Sequence, residues 1–163
     1  CWTMQVAAFA RLTGNSELMD FCRERYKTVL LPSQMAADGS FPLELKRTKP
    51  YGYSLFNLDA MTMLCQILSG PQDNLWNFET SDGKSIEKGL AYLYPFVKDK
   101  DTWPLKADVM YWDDWPVAHP FLIFGANAFG KESWFQTWKS LDHQPETAEV
   151  IRNLPVRHPL IWF

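Results

Sequence analysis

The hydrophobic positions of this chain recur every three or four residues, the spacing of amphipathic helices, and turn residues separate the repeats. Gly14 and Asn15 divide the first two repeats, which predicts two antiparallel helices joined by a tight turn. The first helix is predicted over residues 2–12, and the second begins at Asn15 and closes at Pro32. Their predicted buried stripes are Trp2, Val6, Phe9 and Ala10 on the first helix, and Leu18, Phe21, Cys22 and Val29 on the second.

The same spacing predicts further helices, and the fold class is therefore all-α. A third helix begins at Ser54 and ends before Gly70, and Ser85 caps a fourth, which Pro95 kinks or ends. No alternation is long enough for a confident sheet, although residues 106–110 could pair briefly. The predicted stripes are Leu58, Met61, Cys65 and Leu68 on the third helix and Ile86, Leu90, Leu93 and Tyr94 on the fourth, with shorter helices over residues 119–129, 132–139 and 145–153.

The composition is that of a globular chain, with 47% hydrophobic and 21% charged residues among 163. A net charge of −3 provides no basic field for nucleic acid or a membrane surface, and no apolar run is long enough to cross a bilayer. We therefore expect neither as a partner. The cysteines, Cys1, Cys22 and Cys65, are too widely spaced for a zinc site, and Cys22 and Cys65 are predicted to be small buried hydrophobes.

Residues 38–58 combine turn residues, cations and phenols more densely than any other part of the chain. The turn dipeptide Asp38-Gly39 opens the segment, and an apolar helix follows it. Arg47 and Tyr53 can both point at one anionic ligand if the residues between them form a turn. Solvated cations and a packed phenol are the alternative. The polar side chains of the segment are Glu44, Lys46, Arg47, Lys49, Tyr51 and Tyr53.

Residues 39–47 and 53–58 resemble the Arg and Tyr catalytic segment of bacterial alginate lyases and related polyuronate lyases, which are built as an (α/α) toroid. Residues 1–15 and 111–116 also resemble that family, and the likeness extends over nearly the whole chain. The resemblance implies an all-α toroid of antiparallel helix pairs. It also implies a periplasmic or secreted lyase that acts on an acidic polysaccharide without a cofactor.

A polyuronate lyase removes the C5 proton beside the sugar carboxylate and expels the C4 oxygen, so it must stabilise added negative charge. Arg47 suits this task because guanidinium binds a carboxylate through two parallel hydrogen bonds. Tyr53 suits proton transfer because the nearby cations favour its phenolate. It would act as base and then acid on mannuronate, whereas on guluronate the resemblance implies a histidine base with Tyr53 as acid.

Other candidates for the site are weaker. Glu44 could orient Arg47 or a substrate hydroxyl, or could be a salt-bridge partner, and Lys49 could hold a neighbouring carboxylate or be solvated. His119 is interpreted as a capping or core residue. No metal is predicted, because Asp113-Asp114 lacks further oxygen ligands at suitable spacing. The aromatic residues that could line sugar subsites, or simply pack, are Tyr111, Trp112 and Trp115.

The chain departs from the family in one respect. An Asn-His pair precedes the Arg and Tyr segment in the family, whereas no histidine precedes His119 here. We therefore expect residues 1–163 to be the C-terminal part of a single toroid domain, with the N-terminal part of the same protein as a partner. Two alternatives stay open: a lyase of glucuronan or another glucuronate polymer, and a non-catalytic protein that binds acidic glycans.

Overall fold

Nine α-helices and no β-strand make up the computed structural model, which describes residues 1–163. The all-α prediction is therefore confirmed. A π-helical turn, Tyr26–Leu30, joins α2 to α3, and 3₁₀ turns cover Leu75–Asn77, Lys100–Thr102 and Pro159–Trp162. No helix has the length and apolar character that a bilayer crossing requires. The helices are α1 Trp2–Thr13, α2 Ser16–Arg25, α3 Leu31–Gln34, α4 Pro42–Leu45, α5 Pro50–Leu68, α6 Ile86–Lys98, α7 Pro120–Phe129, α8 Glu132–Ser140 and α9 Ala148–Asn153.

Helix α5 forms the centre of the molecule. Most of its 19 residues are buried, and it packs against α1, α2, α4, α6 and α7. A helix that is apolar around its whole circumference belongs in a core rather than on a surface. The predicted stripe of Leu58, Met61, Cys65 and Leu68 is confirmed, since all four side chains are buried.

Side chains from distant parts of the chain satisfy both ends of α5. The Asp108 carboxylate accepts hydrogen bonds from the backbone N–H groups of Tyr51 (2.9 Å) and Gly52 (2.8 Å). At the other end the Arg23 guanidinium donates to the Leu68 carbonyl at 3.2 and 2.9 Å. An acidic group at the N-terminus and a basic group at the C-terminus both complement the helix dipole. The first turn of α5 is therefore fixed relative to the core.

Helices α1 and α2 form the predicted hairpin, but α1 buries a different face from the predicted one. Gly14 adopts a left-handed conformation with φ 68° and ends α1. Trp2 and Phe9 are 58% and 67% exposed, whereas Ala7 and Ala10 are buried. The distance between packed helices depends on the side chains at the contact, and small residues allow α1 to lie close against α5. The predicted stripe of α1 is thus wrong for Trp2 and Phe9, whereas Ala10 is buried and Val6 packs half-buried against the core.

The second predicted helix does not close at Pro32. The π-helical turn changes the hydrogen-bond register just before the proline, and the chain continues as helix to Gln34. The wider turn also breaks the 3.6-residue period on which the predicted stripe depended. Tyr26 and Leu31 are buried instead. The predicted core residues Leu18, Phe21 and Val29 are 42%, 47% and 40% exposed, and Cys22 alone of that stripe is buried.

Prolines lie inside two helices whose limits were predicted differently. Helix α5 begins at Pro50 rather than Ser54, which is the first-turn position that proline favours. Helix α6 passes through Pro95 and continues to Lys98, and the Ser85 hydroxyl caps it by accepting the Lys88 N–H at 3.4 Å. Residues 106–110 form no strand. One backbone hydrogen bond joins them to residues 38–58, the site segment, and runs from the Val109 N–H to the Thr48 carbonyl at 3.2 Å.

Candidate functional site

Arg47 and Tyr53 lie in direct contact. The guanidinium carbon of Arg47 is 3.7 Å from the centroid of the Tyr53 ring, a close cation–π arrangement. Arg47 Nη1 also donates to Glu44 Oε2 at 3.3 Å, so Glu44 helps to orient the guanidinium. The Arg47 side chain is 53% exposed. A guanidinium has five N–H donors, so the donors that Glu44 does not use stay available to a carboxylate.

The local fold explains how these side chains meet. Helix α4 ends at Leu45, residues 46–49 bend, and α5 starts at Pro50, so Tyr53 lies on the first turn of α5. The residues between Arg47 and Tyr53 therefore form a bend and a helix start, not the isolated turn that the sequence predicted. Gly52 is required there: a Cβ would lie 2.9 Å from both Asp108 Oδ2 and Trp115 Nε1.

Lys49 contributes a second cation beside Tyr53. Its Nζ lies 5.0 Å from the centroid of the Tyr53 ring and 5.1 Å from that of Tyr111. The same Nζ donates to Glu149 Oε1 at 2.8 Å, and the two side chains are only 14% and 15% exposed. Lys49 is thus paired within the protein rather than solvated. Glu149 was not predicted, because it lies 100 positions away in the sequence.

Both members of this ion pair have shifted pKa values. Burial acts to lower the pKa of Lys49, but the hydrogen bond from Lys49 to Glu149 and the attraction of Tyr53 outweigh it, so that pKa is raised. Hydrogen bonds from Lys49 and then Arg152 lower the pKa of Glu149 to about 2. Both directions favour the charged forms, so the pair is ionised at neutral pH.

The three aromatic candidates have different surroundings. Tyr111 is half-buried, its ring faces Lys49, and its backbone has the unusual φ of 63°. Trp112 is also half-buried and packs edge-on against Tyr51 at 5.4 Å between centroids. Trp115 is 4% exposed and stacks on His119, so no face of its ring is free for a sugar. Its burial removes Trp115 from the subsite candidates.

A second polar pair lies inside the core and consists of Asp59 on α5 and His119, the residue before α7. His119 Nδ1 and Asp59 Oδ2 are 2.7 Å apart, and Asp59 Oδ1 accepts the backbone N–H of Phe121 at 3.0 Å. His119 is stacked between Trp115 and Phe121. The interpretation of His119 as a core residue is confirmed by its burial. Asp59 lies six residues after Tyr53, which corresponds to about 9 Å along the helix axis.

The acidic residues near the site do not form a metal centre. Asp113, Asp114, Asp142 and Glu146 line an open cleft of about 440 Å³. The Asp114 carboxylate accepts a hydrogen bond from the Thr147 hydroxyl. Nowhere in the structure do three or more His, Cys, Asp or Glu side chains converge so that they could hold one metal ion.

Comparisons with known proteins identify the family to which the chain belongs. The model of the alginate lyase family matches residues 1–103, which include Glu44, Arg47, Lys49 and Tyr53 but not Glu149. The crystal structure of an alginate lyase from Bacteroides ovatus is similar, with a TM-score of 0.71 and 28% sequence identity. That similarity covers 94% of this chain and 40% of the other, so this chain spans well under half of that protein. It confirms the (α/α) toroid class. No curated protein sequence matches the chain.

Proposed function

The chain belongs to the alginate lyase family, and we propose that it carries the charge-neutralising and proton-transfer residues of a polysaccharide lyase that cleaves alginate by β-elimination. The observation that carries the proposal is the contact of Arg47 with Tyr53, a guanidinium 3.7 Å from the centre of a phenol ring. The two groups are half-exposed at the start of a buried helix. A rigid helix end is a suitable support for groups that must stay aligned on a substrate.

Arg47 neutralises the carboxylate of the sugar that loses its C5 proton. Removal of this proton places further negative charge on a group that is already anionic, so the transition state needs a fixed positive partner. The in-plane N–H groups of Arg47 can bind both carboxylate oxygens at once. Glu44, at 3.3 Å from Arg47, limits the rotation of the guanidinium and keeps its donors aimed in one direction.

Tyr53 transfers the protons. On mannuronate, the phenolate oxygen takes the C5 proton, the C4–O bond breaks as the C4=C5 double bond forms, and the phenol returns a proton to the departing oxygen. Both events occur on one face of the sugar, so one phenol suffices. On guluronate the C5 proton lies on the opposite face, and Tyr53 then serves as the acid while another group is the base. The cations Arg47 and Lys49 both lie over the Tyr53 ring, at 3.7 and 5.0 Å from its centroid.

The test is an elimination assay on the full-length protein. Alginate, polymannuronate, polyguluronate and glucuronan are each incubated with it, and the unsaturated uronate product is followed by its ultraviolet absorbance. Product from alginate supports the proposal. Product from glucuronan alone would replace alginate with a glucuronate polymer, for which the same Arg47 and Tyr53 pair would serve. Binding without product from any polymer would leave a glycan-binding protein and overturn the proposed lyase.

A further inference from the structure

We propose that Glu149, on α9, is a positioning residue that holds the Lys49 ammonium beside Tyr53 during elimination. The inference rests on the lyase function proposed above and adds to it a residue that lies outside the part of the chain matched by the family model. The 2.8 Å contact of Lys49 Nζ with Glu149 Oε1 joins the site segment to a helix near the other end of the chain.

The Glu149 carboxylate is itself held in place from within α9. Its Oε2 accepts hydrogen bonds from Arg152 Nη2 at 2.6 Å and Nε at 3.1 Å. Its Oε1 accepts from Asn153 Nδ2 at 3.3 Å in addition to Lys49. The carboxylate therefore meets Lys49 with its orientation already fixed, which is what a positioning group needs.

Lys49 needs such an anchor. Its four-carbon stem is flexible, and its other contacts are the rings of Tyr53 and Tyr111, each about 5 Å from Nζ. Ring contacts of this kind are weak and weakly directional in a partly open site. The hydrogen bond to Glu149 fixes the ammonium between the two phenols. Arg152 also pairs with the Glu149 carboxylate and neutralises part of its negative charge. The positive charge of Lys49 is therefore not cancelled by Glu149 and still acts on Tyr53.

A purely structural role predicts different behaviour. If the ion pair only docks α9 onto the body of the protein, removal of Glu149 lowers the melting temperature, and kcat falls only in proportion to the protein that is unfolded. If Glu149 acts through Lys49, its effect on turnover vanishes once Lys49 is gone. A double-mutant cycle in kcat, read together with melting curves, separates the two cases: a positioning role changes the kcat of fully folded protein, and it does so non-additively with Lys49.

The cycle uses Lys49→Met, Glu149→Ala and the double variant in the full-length protein, with initial rates on alginate. We expect Glu149→Ala to reduce kcat about tenfold with little change in KM, and Lys49→Met to reduce it at least as much. The double variant should match Lys49→Met. Glu149→Gln retains an oxygen acceptor for Lys49 and should recover most of kcat. Glu146→Ala, at an exposed carboxylate of the same region, is the control and should leave kcat unchanged.

Melting curves accompany each rate. If Glu149→Ala does not fold, Glu149→Asp takes its place, since it keeps the charge but shortens the reach to Lys49, and the same tenfold loss is expected. Full kcat in the Ala or Asp variant overturns the proposal, as does a loss that is undiminished in the Lys49→Met background. These outcomes leave the lyase function standing. Absence of product from the unmodified protein would instead remove the proposed function and this inference with it.

Discussion

Helix α5 carries two polar clusters that differ in their relation to water. At its first turn, Tyr53 contacts Arg47, whose side chain is 53% exposed. Farther along, Asp59 pairs with His119, and both side chains are 1% exposed. The outer cluster, Arg47 and Tyr53, has donors left for a substrate. In the inner pair, both oxygens of the Asp59 carboxylate already have hydrogen-bond partners within the protein. Exposure and unused donors, rather than the presence of a histidine and a carboxylate, therefore distinguish the candidate site on this helix.

The inner pair also has a clear structural purpose. Through its bonds to His119 and Phe121, Asp59 joins the middle of α5 to the start of α7. Burial raises the pKa of Asp59, although His119 and the Phe121 N–H act in the opposite direction. A buried polar group is tolerated only while its partners are present. Substitution on the two clusters should therefore affect different properties.

The largest expected effect is on turnover, from Tyr53→Phe. Loss of a proton-transfer group costs about 10²- to 10⁴-fold in rate. The phenol is half-exposed, so removal of its hydroxyl should change the free energy of unfolding by less than about 0.5 kcal/mol. Initial rates on alginate and urea unfolding of the same preparation measure both quantities. Normal turnover in the Phe variant would show that another group moves the proton.

Asp59→Ala should mainly lower the free energy of unfolding, in contrast to Tyr53→Phe, which should mainly lower turnover. Asp59→Ala leaves the His119 ring and the Phe121 N–H buried without their partner, and each buried polar group left unsatisfied costs about 1–3 kcal/mol. Urea unfolding measures the change, with Asp113→Ala at an exposed carboxylate as the control. A loss below about 1 kcal/mol would mean that the inner pair is not a structural link. It would also weaken the contrast between the two clusters.

Arg47→Lys tests the outer cluster more finely. Lysine keeps the charge but cannot form the two parallel hydrogen bonds or the flat stack on Tyr53. We expect kcat to fall about 10²-fold with a much smaller change in KM, since the lost interaction is strongest in the transition state. Lys46→Ala, at an exposed neighbour, serves as the control. A weaker affinity with unchanged kcat would make Arg47 an ordinary subsite contact.

Sequence reasoning found what is close in sequence and missed what is distant. Arg47 and Tyr53 lie six positions apart beside a helix start, so their contact was predictable. Asp108, Glu149 and Asp59 bond to groups 57, 100 and 62 positions away, and no periodicity signals such partners. The apolar stripe of α5 was identifiable because almost every face of that helix is buried. On α1 two faces offered apolar residues, and packing selected the one with small side chains.

The smallest effect expected is a pH-dependent loss of stability in Glu149→Gln. The pKa of Glu149 is lowered from 4.5 to about 2 in the folded protein by hydrogen bonds from Lys49 and Arg152. A folded-state pKa below the unfolded value gives stability that is complete above about 4.5 and disappears as the pH falls toward about 2. Glutamine cannot ionise and lacks this contribution.

At neutral pH the Gln variant should therefore be less stable by less than about 1 kcal/mol, because ion pairs near the surface contribute little. The difference from the unmodified protein should shrink as the pH falls below about 4.5, since protonated Glu149 then resembles glutamine. Urea unfolding across this range measures it, with Glu146→Gln as the matched control at an exposed carboxylate. A difference that stays constant with pH would show that Glu149 stabilises α9 through packing. In that case its charge would have no part in holding Lys49 at the site.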